Sequence, residues 1–375
     1  MYASNLNKKN KEKCLLIFFI SLFLLYLQLR KNIIKNKKSI FPSKLIGLSD
    51  IQKKLNLSLE FMKTYVTLFF VSQEGLAKEP INSLKNIEPF NIKHRKGVGI
   101  CSIGKKENLY AKEFVEYYMK LGIKKIIIYD NNEIGGEKFE DALKEYIINE
   151  KVEIIDIRGF ESVQFPSYMN CYKKYGEQFD FLLFLDFDEF IHIENKIDIN
   201  SFLYNEKFKK CETIVLNWVM FGDNDLIKYD NRTMIERFTK PIFYRDLGKS
   251  IVRANISQLI IPSSHIIGIN TKYFCDSNGN RLFPSSYYGF EVPIKPEAYI
   301  KHFYTKTAEE FCNKINKGDV QFHENYPKYL NILKTKIETF FTYNSITNEK
   351  LNLIENCSGM NLNKYRNKKL NKNKN

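Results

Sequence analysis

No two of the seven cysteines, Cys14, Cys101, Cys171, Cys211, Cys275, Cys312 and Cys357, are spaced C-x-x-C, so a thiolate zinc site is not expected. A basic excess is also missing from the part of the chain that would fold. The net charge is +15, from 58 Lys/Arg against 43 Asp/Glu, but residues 1–60 carry 12 against 3 and residues 361–375 carry six against none. Residues 61–360 therefore balance at 40 to 40. A nucleic-acid reader needs its basic surface on the folded domain, so no nucleic-acid partner is expected. No segment repeats at a fixed period, which removes solenoids and propellers. Finally, the apolar run near the N-terminus is not followed by the small residues of a signal-peptide cleavage site; RKNIIKNKK follows instead.

That run, CLLIFFISLFLLYLQL at 14–29, has 16 residues and no charge, with lysines before it and Arg30, Lys31, Lys35, Lys37 and Lys38 after it. As a helix it reaches about 24 Å, enough for a thin bilayer or one with snorkelling flanks. It is expected to be an uncleaved single-pass membrane anchor, preceded by a short basic tail (1–13) and followed by a Lys- and Asn-rich stem (30–95). The more basic flank lies after the span, which by the positive-inside tendency leaves the main domain cytoplasmic. The expected setting is the Golgi or ER as a type II protein in a eukaryote, or the inner membrane with a cytoplasmic domain in a bacterium. At the other end a helical extension is expected at 331–360 and a disordered basic tail at 361–375.

From Gly97 the texture alternates. The apolar run VGICSI (98–103) is followed by an amphipathic helix over 107–121, with Tyr110, Phe114, Tyr117, Tyr118 and Leu121 at helical spacing. A second strand, KIIIYD (125–130), a helix at 137–148, a third strand, VEIIDI (152–157), a helix from Pro166 to Tyr175 and a fourth strand, FLLFLD (181–186), complete the pattern. Strands and helices alternating at these lengths predict an α/β domain over 96–330, a mostly parallel Rossmann-like sheet with helices on both faces. Ligands of such sheets bind at the carboxyl ends of the strands, here Asp130, Asn131, Asp186 and Asp188.

Asp186 and Asp188 stand i, i+2 where the fourth strand runs out, in FLLFLDFDEFI (181–191). Hard divalent cations take a few carboxylates plus phosphate oxygens, so this pair is the expected metal site, with Mn²⁺ (or Mg²⁺) as cofactor. The bland alternative is a solvated acid-rich turn with Glu189 on the surface. His302, in YIKHFYTKTAEEF, closes a short strand just before a capping box, Thr307-x-x-Glu310. It is the expected third metal ligand, with His265 as its rival. Lys249 and Arg253 could pair with phosphate oxygens.

The chain resembles glycosyltransferase family 92 over roughly 97–320. The pieces that carry the resemblance are KENLYAKEFVEYYMKLGIKKIIIYDNN (106–132), FLLFLDFDEFI, NWVMFGDND (217–225), ERF (236–238), KSIVR (249–253) and HFYTKTAEEFCNKINKG (302–318). The resemblance implies a GT-A fold of the family-2-like kind. It also implies transfer of a sugar from a nucleoside-diphosphate donor, a UDP-sugar, to a hydroxyl of a glycan or glycoconjugate with inversion. Ser102, Glu107, Asp130, Asn131, Lys249 and Arg253 are then the expected donor contacts, with Asp130 accepting from the nucleobase N–H. A carboxylate base must take the acceptor's proton. Glu236 is the expected base and Asp223 the alternative. Two rivals stand beside this: a metal-dependent phosphatase of haloacid-dehalogenase type, whose motif departs at Phe190, and a non-catalytic membrane-tethered carbohydrate-binding protein.

Overall fold

In the computed structural model, residues 95–366 are described, apart from 162, 257–258, 260–263, 266, 268–272, 283–292, 294 and 318–328. The expected anchor at 14–29, almost all of the stem, and 367–375 of the basic tail lie outside them. Among the described residues no helix is long and apolar enough to cross a membrane.

The first half follows its alternating apolar pattern. β1 (Val98–Gly104) lies between β2 (Lys125–Asp130) and β4 (Phe181–Phe184), and β3 (Val152–Asp156) lies beyond β2, all parallel. Every residue of β1 is buried, as a strand covered on both faces requires. Side chains of alternate residues go to opposite faces. Ile100, Ile126 and Ile128 enter one core with α1 (Asn108–Leu121) and α2 (Phe139–Ile148). Cys101, Ile103, Ile127 and Tyr129 enter another with α3 (Gln164–Tyr175). A disulfide between Cys101 and Cys171 ties α3 to β1. α1 buries Tyr110, Phe114 and Tyr118, and Gly122, at φ 98°, takes the left-handed conformation that ends it.

The second half is mixed, so the sheet as a whole has five parallel strand pairings and four antiparallel ones. It adds β5 (Glu189–Ile193), β6 (Thr213–Phe221), the long β7 (Pro241–Arg253), the short β8 (Phe274–Cys275) and β9 (Arg281–Leu282), and β10 (Ala298–His302). The strand order is β3-β2-β1-β4-β7-β6-β10-β5. β7 runs antiparallel to both β4 and β6, and β10 is parallel to β6 but antiparallel to β5. Between β5 and β6 lies the short α4 (Ile199–Leu203), and between β6 and β7 only the one-turn α5 (Met234–Arg237). Cys211 and Cys275 bridge the region before β6 to β8. After β10 come α6 (Ala308–Asn316), α7 (Tyr329–Tyr343) and α8 (Asn348–Ser358), which share a core around Phe311, Phe340 and Leu351. The disulfide Cys312–Cys357 joins α6 to α8.

Between β4, near the middle of the sheet, and β5, at its edge, the chain crosses over by way of Leu185–Asp188. Phe187 anchors that crossing: its ring stacks on Phe139 at 5.1 Å and meets Phe114 at 4.8 Å. Gly104, at the end of β1, leaves the room. A Cβ there would lie 2.4 Å from the Phe139 ring and 2.8 Å from the Phe187 ring. Gly104→Ala is therefore expected to destabilise the domain by about 1–3 kcal/mol, measured as a lower urea midpoint. An unchanged midpoint would show that the rings yield and that Phe187 does not fix the crossing.

Candidate active site

Two acids of the crossing point back into the fold, and each meets a lysine. The Asp186 backbone N–H donates to Glu189 Oε2 at 2.9 Å, which pulls the turn tight and sends Glu189 inward. Glu189 is fully buried, not on the surface. The ammonium of Lys249, itself buried on β7, donates to Asp186 Oδ2 at 2.8 Å and lies 3.4 Å from Glu189 Oε2. Tyr168 of α3 donates to Asp186 Oδ1 at 3.3 Å. Burial alone would lower the Lys249 pKa, but Asp186 and Glu189 outweigh it and raise it. Burial, with Asp186 and Asp188 nearby, pushes Glu189 well above the usual carboxylate range.

Asp188 has a separate set of partners. Its side chain is 6% exposed, against 35% for Asp186, so one of the pair is interior and the other reaches solvent. Lys314 of α6 donates to Asp188 Oδ2 at 2.7 Å, Lys306 lies 3.6 Å from the same oxygen, and His302 Nε2 lies 3.6 Å from Oδ1. Burial opposes ionisation of Asp188, yet Lys314, Lys306 and His302 hold its pKa well below the ordinary value. His302 is lowered by its own burial, so it is a neutral imidazole at pH 7. Its Nδ1, like Glu189 Oε1, has no hydrogen-bond partner among the described residues.

Lys306 and Lys314, the partners of Asp188, line a cavity of about 490 Å³ whose wall also includes Lys106, Glu107, Tyr110 and Lys317. Glu107 accepts from Lys317 and lies 3.7 Å from Lys306. Deeper in the wall, Arg237 of α5 makes a two-pronged pair with Glu310 of α6, at 2.6 and 3.0 Å, and Tyr110 donates to the same carboxylate at 2.8 Å. The Thr307–Glu310 capping box forms as its spacing predicts.

Of the expected site residues, the structure brings together Asp186, Asp188, Glu107, Lys249 and His302. The others are engaged elsewhere. Asp130 sits at the end of β2, but its two oxygens accept from the N–H groups of Asn132 (2.9 Å) and Phe139 (3.3 Å), holding the loop into α2. Asn131 donates to the carbonyls of Ile157 and Phe160. Arg253 donates to those of Cys211, Phe208 and Lys209. Ser102 is fully buried, its hydroxyl without a hydrogen-bond partner among the described residues. Glu236 is the acid of a second capping box, accepting from the N–H and hydroxyl of Thr233. Asp223 is buried 2.6 Å from Lys350 of α8. His265 packs edge-on against Trp218 at 5.0 Å, and the face of Trp218 toward His302 lies at 4.3 Å. Sequence reasoning missed Lys306, Lys314, Lys317 and Tyr168. For two of these a signal existed: 314 and 317 lie four and seven positions after the capping-box Glu310, on one helix face.

Among the described residues no three His, Cys, Asp or Glu side chains are disposed to hold a metal by themselves. What is present suits a cation that takes few protein ligands and draws the rest from phosphate and water: two carboxylates at i, i+2 and a neutral imidazole with an unpartnered nitrogen beside them.

The family description "Glycosyltransferase family 92" matches residues 94–341. A glycosyltransferase family 92 protein of Ricinus communis is 23% identical over 309 residues, which cover 80% of this chain and 54% of the relative. The chain thus spans about half the length of the curated relative it matches. Among solved structures, S. aureus TarS 1-349 in complex with UDP-GlcNAc matches at 12% identity and a TM-score of 0.33, covering 70% of this chain and 79% of that one. The mannosyltransferase PcManGT from Pyrobaculum calidifontis in complex with GDP-Man and Mn²⁺ matches at 8% identity and a TM-score of 0.24, covering 44% and 46%.

The Arg237–Glu310 pair yields a pH test. Burial opposes ionisation of Glu310, but Arg237, Thr307 and Tyr110 outweigh it and hold its folded pKa below the ordinary value. A depressed acid stabilises fully above its unfolded pKa, about 4.3, and loses that contribution as pH falls through the folded value. Glu310→Gln is expected to cost about 3–5 kcal/mol at pH 7, since it strands a buried guanidinium. The gap to wild type in urea midpoint should narrow below about pH 4. A gap that stays constant from pH 7 to pH 3 would show that Glu310 is not ionised in the fold.

Proposed function

The chain belongs to glycosyltransferase family 92, and from that premise we propose that it moves a sugar from a UDP-sugar to a hydroxyl of a glycan or glycoconjugate, with inversion. Membership sets the phosphatase reading aside. We read the fold as the GT-A type, and the observation that carries the proposal is the D-x-D at the end of β4, whose Asp188 meets two lysines that wall a cavity.

In this proposal Asp186 and Asp188, with His302 beside them, hold Mn²⁺ (or Mg²⁺). When bound, that cation supplies charge neutralisation to the departing diphosphate. The chain's own residues do the rest. Lys249 aims Asp186 by donating to it, and Trp218 and Asp188 flank the ring of His302. Glu107, buried in the cavity wall, reaches the donor's hydroxyls once its lysines turn to the diphosphate. Glu236 is proposed as the base that takes the acceptor proton. Its second carboxylate oxygen is not used by the capping box, and the group is exposed. Asp223 is the alternative, at the cost of leaving Lys350.

A panel of nucleotide sugars, assayed for release of nucleoside diphosphate with Mn²⁺ or Mg²⁺, tests the proposal. UDP release from one UDP-sugar is expected. Asp186→Asn should abolish it, and is a cleaner probe than Asp188→Asn because Asp188 is the more deeply buried. Glu236→Gln should lower kcat by roughly 10²–10⁴-fold while donor binding is kept. If that variant is slowed less than threefold, the base moves to Asp223. If no nucleotide sugar is turned over, the transferase proposal fails.

The location is part of the same proposal. Six cysteines pair as Cys101–Cys171, Cys211–Cys275 and Cys312–Cys357. Disulfides persist in oxidising compartments and are rare in the cytosol. They support a domain on the lumenal or extracytoplasmic side of the membrane tethered at 14–29, against the orientation that the flanking charges favour. In protein isolated from its native membranes and alkylated before reduction, these six thiols should resist modification until a reductant is added. Labelling of all six without reductant would place the domain in the cytosol.

A further inference from the structure

Asp188 of the D-x-D meets the cavity only through Lys306 and Lys314, which line it together with Lys317. Lys306 immediately precedes the capping-box Thr307, and Lys314 and Lys317 come from α6 and the residue that ends it. The three ammonium groups share two carboxylates, Asp188 and Glu107. Other charges of the wall are matched elsewhere: Lys106 pairs with Glu133 at 2.9 Å, and Glu310 with Arg237. Glu137 is exposed at the rim, where water and salt screen it.

Two of the lysines are also held in place. The Lys306 ammonium lies 4.2 Å from the centre of the Tyr110 ring. That of Lys314 lies 4.0 Å from the Tyr304 ring and donates to the Tyr304 carbonyl at 2.9 Å. Positioned, poorly hydrated ammonium groups that outnumber their carboxylates form an anion site. The cavity, at about 490 Å³, is in the range that holds a nucleotide-sized ligand.

We propose that Lys306, Lys314 and Lys317 seat the diphosphate of the nucleotide donor, with Lys314 neutralising Asp188 while the site is free. This rests on the transferase reading above. Phosphate oxygens entering the cavity give the three ammonium groups a better acceptor than two shared carboxylates. Lys314 then turns from Asp188 to the diphosphate, and its release leaves Asp188 open to a divalent cation. Donor and cation are therefore expected to bind cooperatively through Lys314.

The test is calorimetric titration of the purified protein with UDP, once in EDTA and once in Mn²⁺, for wild type, Lys317→Gln, Lys314→Gln and Lys314→Arg. Lys317 and Lys314 are chosen because they are less buried than Lys306, and melting temperatures check that the variants fold. Each Gln variant is expected to weaken UDP binding by about tenfold or more, the worth of a charge-assisted contact to phosphate, and Lys314→Arg by less. Inorganic pyrophosphate should displace UDP from wild type and do so poorly from Lys317→Gln. Folded Gln variants that bind UDP as tightly as wild type in both buffers would overturn the lysine seat and leave the transferase reading standing. A wild type that binds no UDP even with Mn²⁺ would take both down together.

Discussion

Three carboxylates within four residues, at least two of them shut away from water, are tolerable only if cations come to them. Stranding a buried charge costs about 3–5 kcal/mol, a large fraction of the stability of a whole domain. Here the cations arrive from far along the chain: Lys249 on β7 and Lys314 on α6. β7 can deliver its lysine because it is zipped antiparallel against β4, Leu183 opposite Ile251. α6 can deliver its own because β10, paired to β5 with His302 opposite Glu189, ends at the same place. The mixed half of the sheet is thus the device that brings countercharge to the end of the parallel half.

Much of the first half could be read from the sequence. Apolar runs of strand length separated by amphipathic helices leave few alternatives, and the structure moves their ends by no more than a few residues. α1 begins at Asn108 rather than Glu107, and α3 at Gln164 rather than Pro166. The direction of the later strands could not be read, because an apolar run reports burial and not which neighbour it pairs with. The capping box before α6 was legible because it is local chemistry, a hydroxyl and a carboxylate three residues apart.

The site was legible in part, for the same reason. Asp186 and Asp188 announce themselves by position, and His302 by its strand end. The lysines that face them are separated from them by 63 and 126 residues, and in sequence they look like any of the chain's many lysines. The bland alternative put Glu189 on the surface because an acid in a turn reads as solvated; its bond to the Asp186 N–H sends it inward instead. Asp130 shows that a carboxylate at a strand end has two possible employments, ligand or loop cap. Nothing in its neighbours' identities says which, since the N–H groups it holds belong to the backbone.

The distance along the chain between Asp188 and Lys314 also has a meaning in time. At 5–20 residues per second of synthesis, the 126 residues between them take about 6–25 s to appear. Through that interval the parallel half has emerged with Asp188, and for the first half of it Asp186 and Glu189 as well, uncompensated. It must either leave the end of β4 open to water or keep those acids protonated. The last lysine therefore closes the site as well as furnishing it: until α6 leaves the ribosome, the first half has every strand it needs and no means of sealing the one that matters most.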